Sequence, residues 1–399
     1  MTKKVLEGIK VLDFSRYIAG AYCAKILADM GAEAIRVDDP GGSDDRFQPP
    51  FGPNREPLQA ISLNCNKRGI TLNLRSEKGK EIFRNLIGWA DIVVENFSPP
   101  AKKLFGFDYE DIKAINPRAI LLSFSGYGSY GPYKDYLAFD SIIQAEVGIA
   151  YATGYPPGPP ARAGISTIDL TAGINGALAG VLALYNRDLR GGEGQMVELA
   201  LIDMAAAMVT GYGYVPDYEI AHKVREPLGL GAYGCWANGF KSEDDRWVYI
   251  STLSQGIWKR FVRLIGHEEL FDDERFVDDY ARFVNRDDID PYARQWVSER
   301  NADDALKLLH DARIPCGEIN DSSRIAKHPQ IDSRGSIIWM DYPGLEKFPY
   351  PGVPMKFSET PGEVVKRAPE AGEHNGEVYG EILNYSAADI KKLTDEGVL

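Results

Sequence analysis

Val11-Leu12-Asp13-Phe14-Ser15-Arg16-Tyr17-Ile18-Ala19-Gly20 opens a unit that recurs along the first part of the chain and decides its fold class. Val11, Leu12 and Phe14 read as a short buried strand. Tyr22, Cys23, Ile26, Leu27 and Met30 follow at helical spacing until Gly31 ends the helix, and Glu33 to Val37 reads as a second strand. Gly69 to Leu74 alternates as a third strand, Ile82, Phe83, Leu86 and Ile87 mark a helix, Asp91 to Glu95 is another strand, and Ala119 to Phe124 completes the series. Strands that alternate with helices form a parallel sheet with helices on its faces, because a helix-length crossover returns the chain to the same end of the sheet. The expected class is α/β, with a Rossmann-like large domain. A dinucleotide dehydrogenase does not follow from it. Ser15 to Ala21 lacks the three-glycine turn that lets backbone approach a pyrophosphate.

Further along, Gly164-Ile165-Ser166-Thr167-Ile168-Asp169-Leu170-Thr171-Ala172-Gly173 sets one acid between a proline-rich approach and a helix of small residues. The approach, Gly154 to Pro160, is neither helix nor central strand, since proline lacks an amide donor and restricts its predecessor. The helix behind Asp169 is expected to run to about Arg187, with Gly173, Gly176, Ala177, Ala179, Gly180 and Ala183 permitting close approach of a neighbour. Gly191 to Gly194 then turns the chain into a strand, Gln195 to Leu199, and a helix from Ile202 to roughly Tyr214. The expected domain plan is a large domain over 1–200, a linking helix over 201–225 and a smaller α+β domain over 226–320. A second linker covers 321–345, and 346–399 returns to the large domain.

With 399 residues and 44% hydrophobic content the chain can build two cores. A net charge of −13 argues against nucleic-acid or membrane partners, which require a broad positive field. Cys23, Cys65, Cys235 and Cys316 show no paired spacing, the N-terminus has no apolar signal core, and no unbroken apolar run reaches membrane length. A cytoplasmic location is expected. The five histidines show no metal-ligand spacing, so no metal is expected.

Asp169 has two readings. Asp at a helix start is a common N-cap, its oxygen accepting an orphan amide. The other reading is a nucleophile. A carboxylate of ordinary pKa is ionised at neutral pH without help from a base, and its natural electrophile is an activated acyl group such as a thioester. Asn66-Lys67-Arg68 and Asn96-Phe97 with Lys102-Lys103 are local basic clusters near strand ends that could meet an anionic ligand, or else form solvated edges. Gly229, Gly231 and Gly234 make either a mobile lid offering backbone amides or a plain turn.

These stretches in this order resemble the class III coenzyme A transferases, the family of formyl-CoA, carnitine-CoA and arylsuccinate CoA-transferases and the related α-methylacyl-CoA racemases. The resemblance is carried by Val11-Leu12-Asp13-Phe14 with Ala19-Gly20, Leu27 to Glu33, Asn66 to Ile70 and Val94-Glu95-Asn96-Phe97. Ile115 to Arg118, Ser125 to Gly128, Ile314 to Gly317 and Gly372-Glu373-His374 add to it, so that nearly the whole chain is covered. It implies that Asp169 is the nucleophile forming an acyl anhydride and an aspartyl-CoA thioester, with Asp140 an acid beside it. It implies coenzyme A contacts at Arg16, Tyr17, Asn66, Lys67, Arg68, Leu72, Asn96, Phe97 and Lys103. Ile18 and Phe139 would face the acyl group, and Gly229 and Gly231 would form the lid.

The racemases are similar but carry a histidine where this chain has Phe139, and removing and returning an α-proton requires two bases. Formyl-CoA transferase has a glutamine where Ile18 stands, so the apolar Tyr17, Ile18 and Phe139 point to an acid larger than formate. Asp39, Leu104 and Leu137 replace basic residues of some members, and Lys103 is a substitute for the first. No permanently bound cofactor is implied; coenzyme A or acyl-CoA is a substrate, with succinyl-CoA a candidate donor and a small carboxylic acid the acceptor. An interlocked homodimer, each chain a ring threaded by its partner, or a heteromer with a homologous subunit is implied. The competing functions are an acyl-CoA racemase or isomerase and a non-catalytic acyl-CoA-binding subunit.

Overall fold

The computed structural model describes residues 4–399. Six parallel strands, β1 (Lys10–Asp13), β2 (Glu33–Asp38), β3 (Lys67–Thr71), β4 (Ile92–Glu95), β5 (Ile120–Ser125) and β6 (Met196–Ala200), form a sheet in the order β3-β2-β1-β4-β5-β6. The chain winds outward from β1 to β3, then crosses back to β4 and winds the other way. Loops leaving the C-terminal ends of β1 and β4 therefore diverge, and a crevice opens between them.

The period of two along each strand sends alternate residues into separate cores. Val11, Ala34, Ile92, Val94, Ile120 and Leu122 join one core, while Leu12, Phe14, Ile35, Val93 and Leu121 join the other. The first core is covered by α1 (Ala19–Asp29) and α3 (Thr167–Leu189); a short helix between them in sequence, α2 (Asp140–Glu146), packs near the start of α3. Val378, Tyr379, Leu393 and Leu399 lie in the second core, which is how the C-terminal segment returns to the sheet that the N-terminus began.

The chain divides into two compact units. One runs to Ile149 and resumes over Arg162–Lys223 and Asp332–Leu399; the other takes Ala150–Ala161 and Val224–Ile331. The smaller unit is wider than the span 226–320: it extends to Ile331 and takes in the whole proline-rich approach, where the Gly229 amide donates to the Gly154 carbonyl at 2.7 Å. It holds the antiparallel strands β7 (Ala237–Lys241), β8 (Trp247–Ser251) and β9 (Cys316–Glu318) over a core of Trp236, Trp258, Phe261, Phe276 and Trp296.

Two local expectations are corrected. The helix begun at Leu201 ends at Gly211 and a new one starts at Tyr214, because Gly213 between them adopts a left-handed φ of 77°. An antiparallel hairpin, β10 (Ile337–Tyr342) and β11 (Leu345–Pro351), turned at Pro343-Gly344, begins inside the stretch read as linker and crosses its expected end at 345. By length and composition alone α3 is long and apolar enough to cross a membrane. Glycines and alanines interrupt its larger apolar residues, and one face of it lies in the first core.

Candidate active site

Glycines in α3 decide where Asp169 sits. A Cβ on Gly173 would lie 2.8 Å from the Ala19 carbonyl oxygen, and one on Gly176 would lie 2.4 Å from the Phe124 ring and 3.1 Å from Cys23 Sγ. A Cβ on Gly180 would reach Leu122 and Leu27. Successive α3 glycines thus meet successive turns of α1, so the two helices run in the same direction with their backbones close. Asp169 lies one turn before Gly173 on the same face, which directs it toward the start of α1. Both helix N-termini, with their positive dipole ends, meet at this place. Ile18, at the N-cap position of α1, provides no side-chain cap.

Asp140 decides what Asp169 is free to do. It begins α2, is 3% exposed, and its Oδ2 accepts hydrogen bonds from the backbone amides of Ile168 at 2.7 Å and Asp169 at 3.2 Å. Oδ1 accepts from the Gln144 amide, whose own oxygen accepts from the Ala163 amide at 2.9 Å. The first turn of α3 is therefore capped by a carboxylate from another helix. The N-cap role weighed for Asp169 is taken, and among the described residues its carboxylate has no hydrogen bond or ion pair. Protein packed around this carboxylate, and then the nearby Asp140 charge, push its pKa up to about 7. The expectation of an ordinary, fully ionised acid is corrected accordingly. Gln144, one helical turn after Asp140, was missed from sequence; its i, i+4 spacing was the available signal.

The turn between β1 and α1 forms the facing side. Asn96, just past β4, accepts from the Arg16 amide at 2.8 Å and donates to the Arg16 carbonyl at 2.7 Å, which ties the turn across the crevice. The Arg16 guanidinium folds back onto the carbonyls of Phe14, Ser15 and Val37, reaches Asp39 at 3.3 Å and lies over the Phe97 ring. Tyr17 adopts a left-handed φ of 64°, and its ring meets Phe139 edge to face with centroids 5.7 Å apart. Phe139 is 63% exposed, and Ile18 is half-buried at the start of α1.

Other expected contacts are placed differently. Lys67 is buried, and its ammonium donates to Asp13, Asn64 and the Ala21 carbonyl. Arg68 pairs with Glu33, Glu377 and Glu381, while Asn66 bonds Asp29 and the returning segment at Glu363, Val365 and Lys366. In this structure their polar side chains are engaged within the fold, where the expectation had them facing a ligand. The Leu72 side chain is in the second core. Lys102 is drawn to Ser123 and Glu95, whereas Lys103 is exposed and without an ion pair or hydrogen bond among the described residues. In the smaller unit the amides of Gly229 and Gly231 already donate to the carbonyls of Gly154 and Leu228, and a Cβ on Gly229 would strike the Tyr155 ring at 2.5 Å. In this conformation those two amides are not free to receive an oxyanion. Among the described residues there is no cluster of His, Cys, Asp and Glu able to hold a metal ion.

Residues 6–375 match the family model described as CoA-transferase family III. The chain is 31% identical to a succinyl-CoA–D-citramalate CoA-transferase of Chloroflexus aurantiacus, covering 99% of this chain and 98% of the relative. It is 32% identical to the succinyl-CoA–L-malate CoA-transferase beta subunit of the same organism, with coverage of 99% and 98%. A formyl-CoA:oxalate CoA-transferase of Bradyrhizobium sp. (strain ORS 278) is 31% identical, with 99% and 97% covered. Among solved structures, a CAIB/BAIF family protein from Brucella suis superposes with a TM-score of 0.84 at 30% identity, over 96% of this chain and 100% of that one.

Proposed function

The chain belongs to CoA-transferase family III, and from that premise we propose that it moves coenzyme A from an acyl-CoA donor to a carboxylic acid acceptor, with Asp169 as covalent nucleophile. The observation that carries the reading is the Asp169 carboxylate, unbonded among the described residues at the start of a helix whose amides Asp140 already satisfies.

A carboxylate oxygen of Asp169 attacks the thioester carbonyl, the C–S bond breaks, and coenzyme A leaves as thiolate while a mixed anhydride forms. The thiolate then attacks the aspartyl carbonyl of that anhydride, the donor acid departs as carboxylate, and Asp169 is left as a thioester of coenzyme A. The acceptor carboxylate attacks this thioester and expels the thiolate again, giving the acceptor's anhydride with Asp169. Attack of the thiolate on the acceptor carbonyl releases acceptor-CoA and restores Asp169. A thioester is exchanged for a thioester, so the cycle is close to balanced in energy and consumes no nucleotide. Ionised Asp169 is the reactive form, and its raised pKa makes it the more basic nucleophile once ionised. The amides at the start of α1 supply positive potential where charge develops on the attacked carbonyl.

Succinyl-CoA is the first donor to test, since two of the relatives are named for it. Phe139 cannot take a proton, which disfavours α-proton exchange. For assembly, the exposed stripe Ile174, Leu178, Val181, Leu182, Tyr185 and Leu189 recurs on one face of α3 and supports a dimer, formed with a second copy or with a homologous subunit. The test of the chemistry is incubation with acyl-CoA donors, quenching with hydroxylamine and peptide mass spectrometry. Acyl-CoA-dependent hydroxamate at Asp169 is the expected result. An unmodified peptide with every donor, in a protein that still binds coenzyme A, would overturn the covalent role.

A further inference from the structure

Lys67 was expected to meet coenzyme A, yet the structure gives it other work. It sits on β3, two strands away from β1, and is 1% exposed. Its Nζ crosses beneath the turn that joins β1 to α1 and donates at 2.7 Å to Asp13 Oδ2, at 2.8 Å to the Ala21 carbonyl and at 2.7 Å to Asn64 Oδ1. An ammonium has three donors, so none is left for a ligand. Asp13, also fully buried, uses its other oxygen to accept from both the amide and the hydroxyl of Ser15.

Lys67 therefore holds both ends of one turn. Through Asp13 it fixes Ser15, where the turn starts; through the Ala21 carbonyl it fixes the first turn of α1, where it finishes. The residues between are Arg16, Tyr17 and Ile18, and Asn96 clamps the Arg16 backbone from the other side. The strut is a costly one: a buried ion pair is at best marginal for stability against apolar residues of similar volume. Its geometric effect is specific, since it sets the height of the segment that presents Tyr17 to Phe139 and leads through Ile18 into α1.

We propose that the buried Lys67–Asp13 pair is a positioning device for the Ser15–Ile18 turn, and that Lys67 acts on the transfer reaction through this turn without touching coenzyme A. The proposal rests on the transferase reading above. A residue placed about 1 Å from its productive position can cost about a hundredfold in rate, so the strut has a kinetic consequence separate from stability.

Asp13→Asn distinguishes the strut from a direct contact, because it breaks the ion pair while leaving the Lys67 side chain in place. Lys67→Met, Asp13→Asn, the double variant and Ser15→Ala are compared with the wild type. All measurements are made at a temperature where far-UV circular dichroism shows every protein folded. The readouts are the rate of hydroxamate formation at Asp169 and the affinity for coenzyme A by calorimetry. Both single variants are expected to slow labelling by about tenfold or more, with the double variant within about twofold of either, since all break one strut. Ser15→Ala, which loses only a hydroxyl and should fold in any case, is expected to slow labelling about threefold.

Labelling at the wild-type rate in the folded variants overturns the proposal. So does a loss of coenzyme A affinity in Lys67→Met but not in Asp13→Asn, which would mark a direct phosphate contact. If the wild type itself is never labelled, the covalent reading fails on its own. The affinities then decide: equal loss in both single variants supports the strut, and no loss in either overturns it.

Discussion

Asp140 and Asp169 meet at the start of α3 and are treated in opposite ways by the fold. Asp140 is buried and spends both oxygens on hydrogen bonds, two from the amides of α3 and one from Gln144. Asp169, one of the residues whose amide Asp140 satisfies, keeps a carboxylate that nothing in its own chain engages among the described residues. The difference teaches that a helix start can free the acid it carries by taking its cap from elsewhere. A self-capping Asp169 would hold its oxygens on backbone amides, stabilised as an anion and turned away from any electrophile. With the cap supplied by α2, the same residue is left unstabilised, with a pKa near 7, at a point where two helix N-termini converge.

The contrast breaks most sharply at Asp169 itself. Asp169→Asn is expected to lower coenzyme A transfer by at least about a thousandfold while leaving the fold intact, as measured by a coupled transferase assay beside circular dichroism. Survival of transfer in that variant would make the two acids equivalent in being dispensable to the chemistry. Asp140→Ala should act on both levels. Loss of the cap is expected to destabilise the protein by about 1–2 kcal/mol in urea unfolding, and labelling of Asp169 should slow by roughly tenfold to a hundredfold as the start of α3 loosens.

The pH profile sharpens the comparison further. Labelling of Asp169 is expected to rise with pH and level off above about 7, because ionised Asp169 attacks. In Asp140→Asn the bend should move to lower pH, since the neighbouring charge is removed, while burial keeps it above the ordinary carboxylate range. A bend unmoved by that substitution would leave burial as the whole cause. The smallest effect is on stability. A carboxyl whose folded pKa is raised favours folding in acid, and that contribution is lost as pH rises from about 4 through about 7. Asp169→Asn should therefore be more stable than wild type at pH 8 by about 1–2 kcal/mol, below a ceiling of about 4 kcal/mol because water still reaches the side chain, and the gain should fade toward pH 4. Denaturant melts at the two pH values measure it.

Local pattern made much of this fold legible. The run Val11 to Phe14, the spacing of Tyr22 to Met30 and the apolar series Ala119 to Phe124 are each set by neighbours a few residues apart, and each produced the expected element. The hairpin at Ile337–Pro351 was missed although Pro343-Gly344 marked its turn, because the surrounding prolines read as loop. The break at Gly213 was missed because a glycine inside an apolar helical pattern does not announce a left-handed φ.

Asp169 was singled out by sequence through its place between a proline-rich approach and a small-residue helix, and the family resemblance supplied its chemistry. What the sequence by itself determined is the alternation that builds the sheet and the backbone closeness that glycines at 173, 176 and 180 permit, since both follow from side-chain size and local period. Only the tertiary structure decided the partners of charged groups. Asp13 and Lys67 are 54 positions apart, and Asp140 and Ile168 are 28 apart. Whether a charge faces solvent, a ligand or another charge depends on which strands and helices the topology brings side by side. That is why a lysine expected at a ligand pairs with Asp13, and an acid that could have capped its own helix is relieved of capping by another.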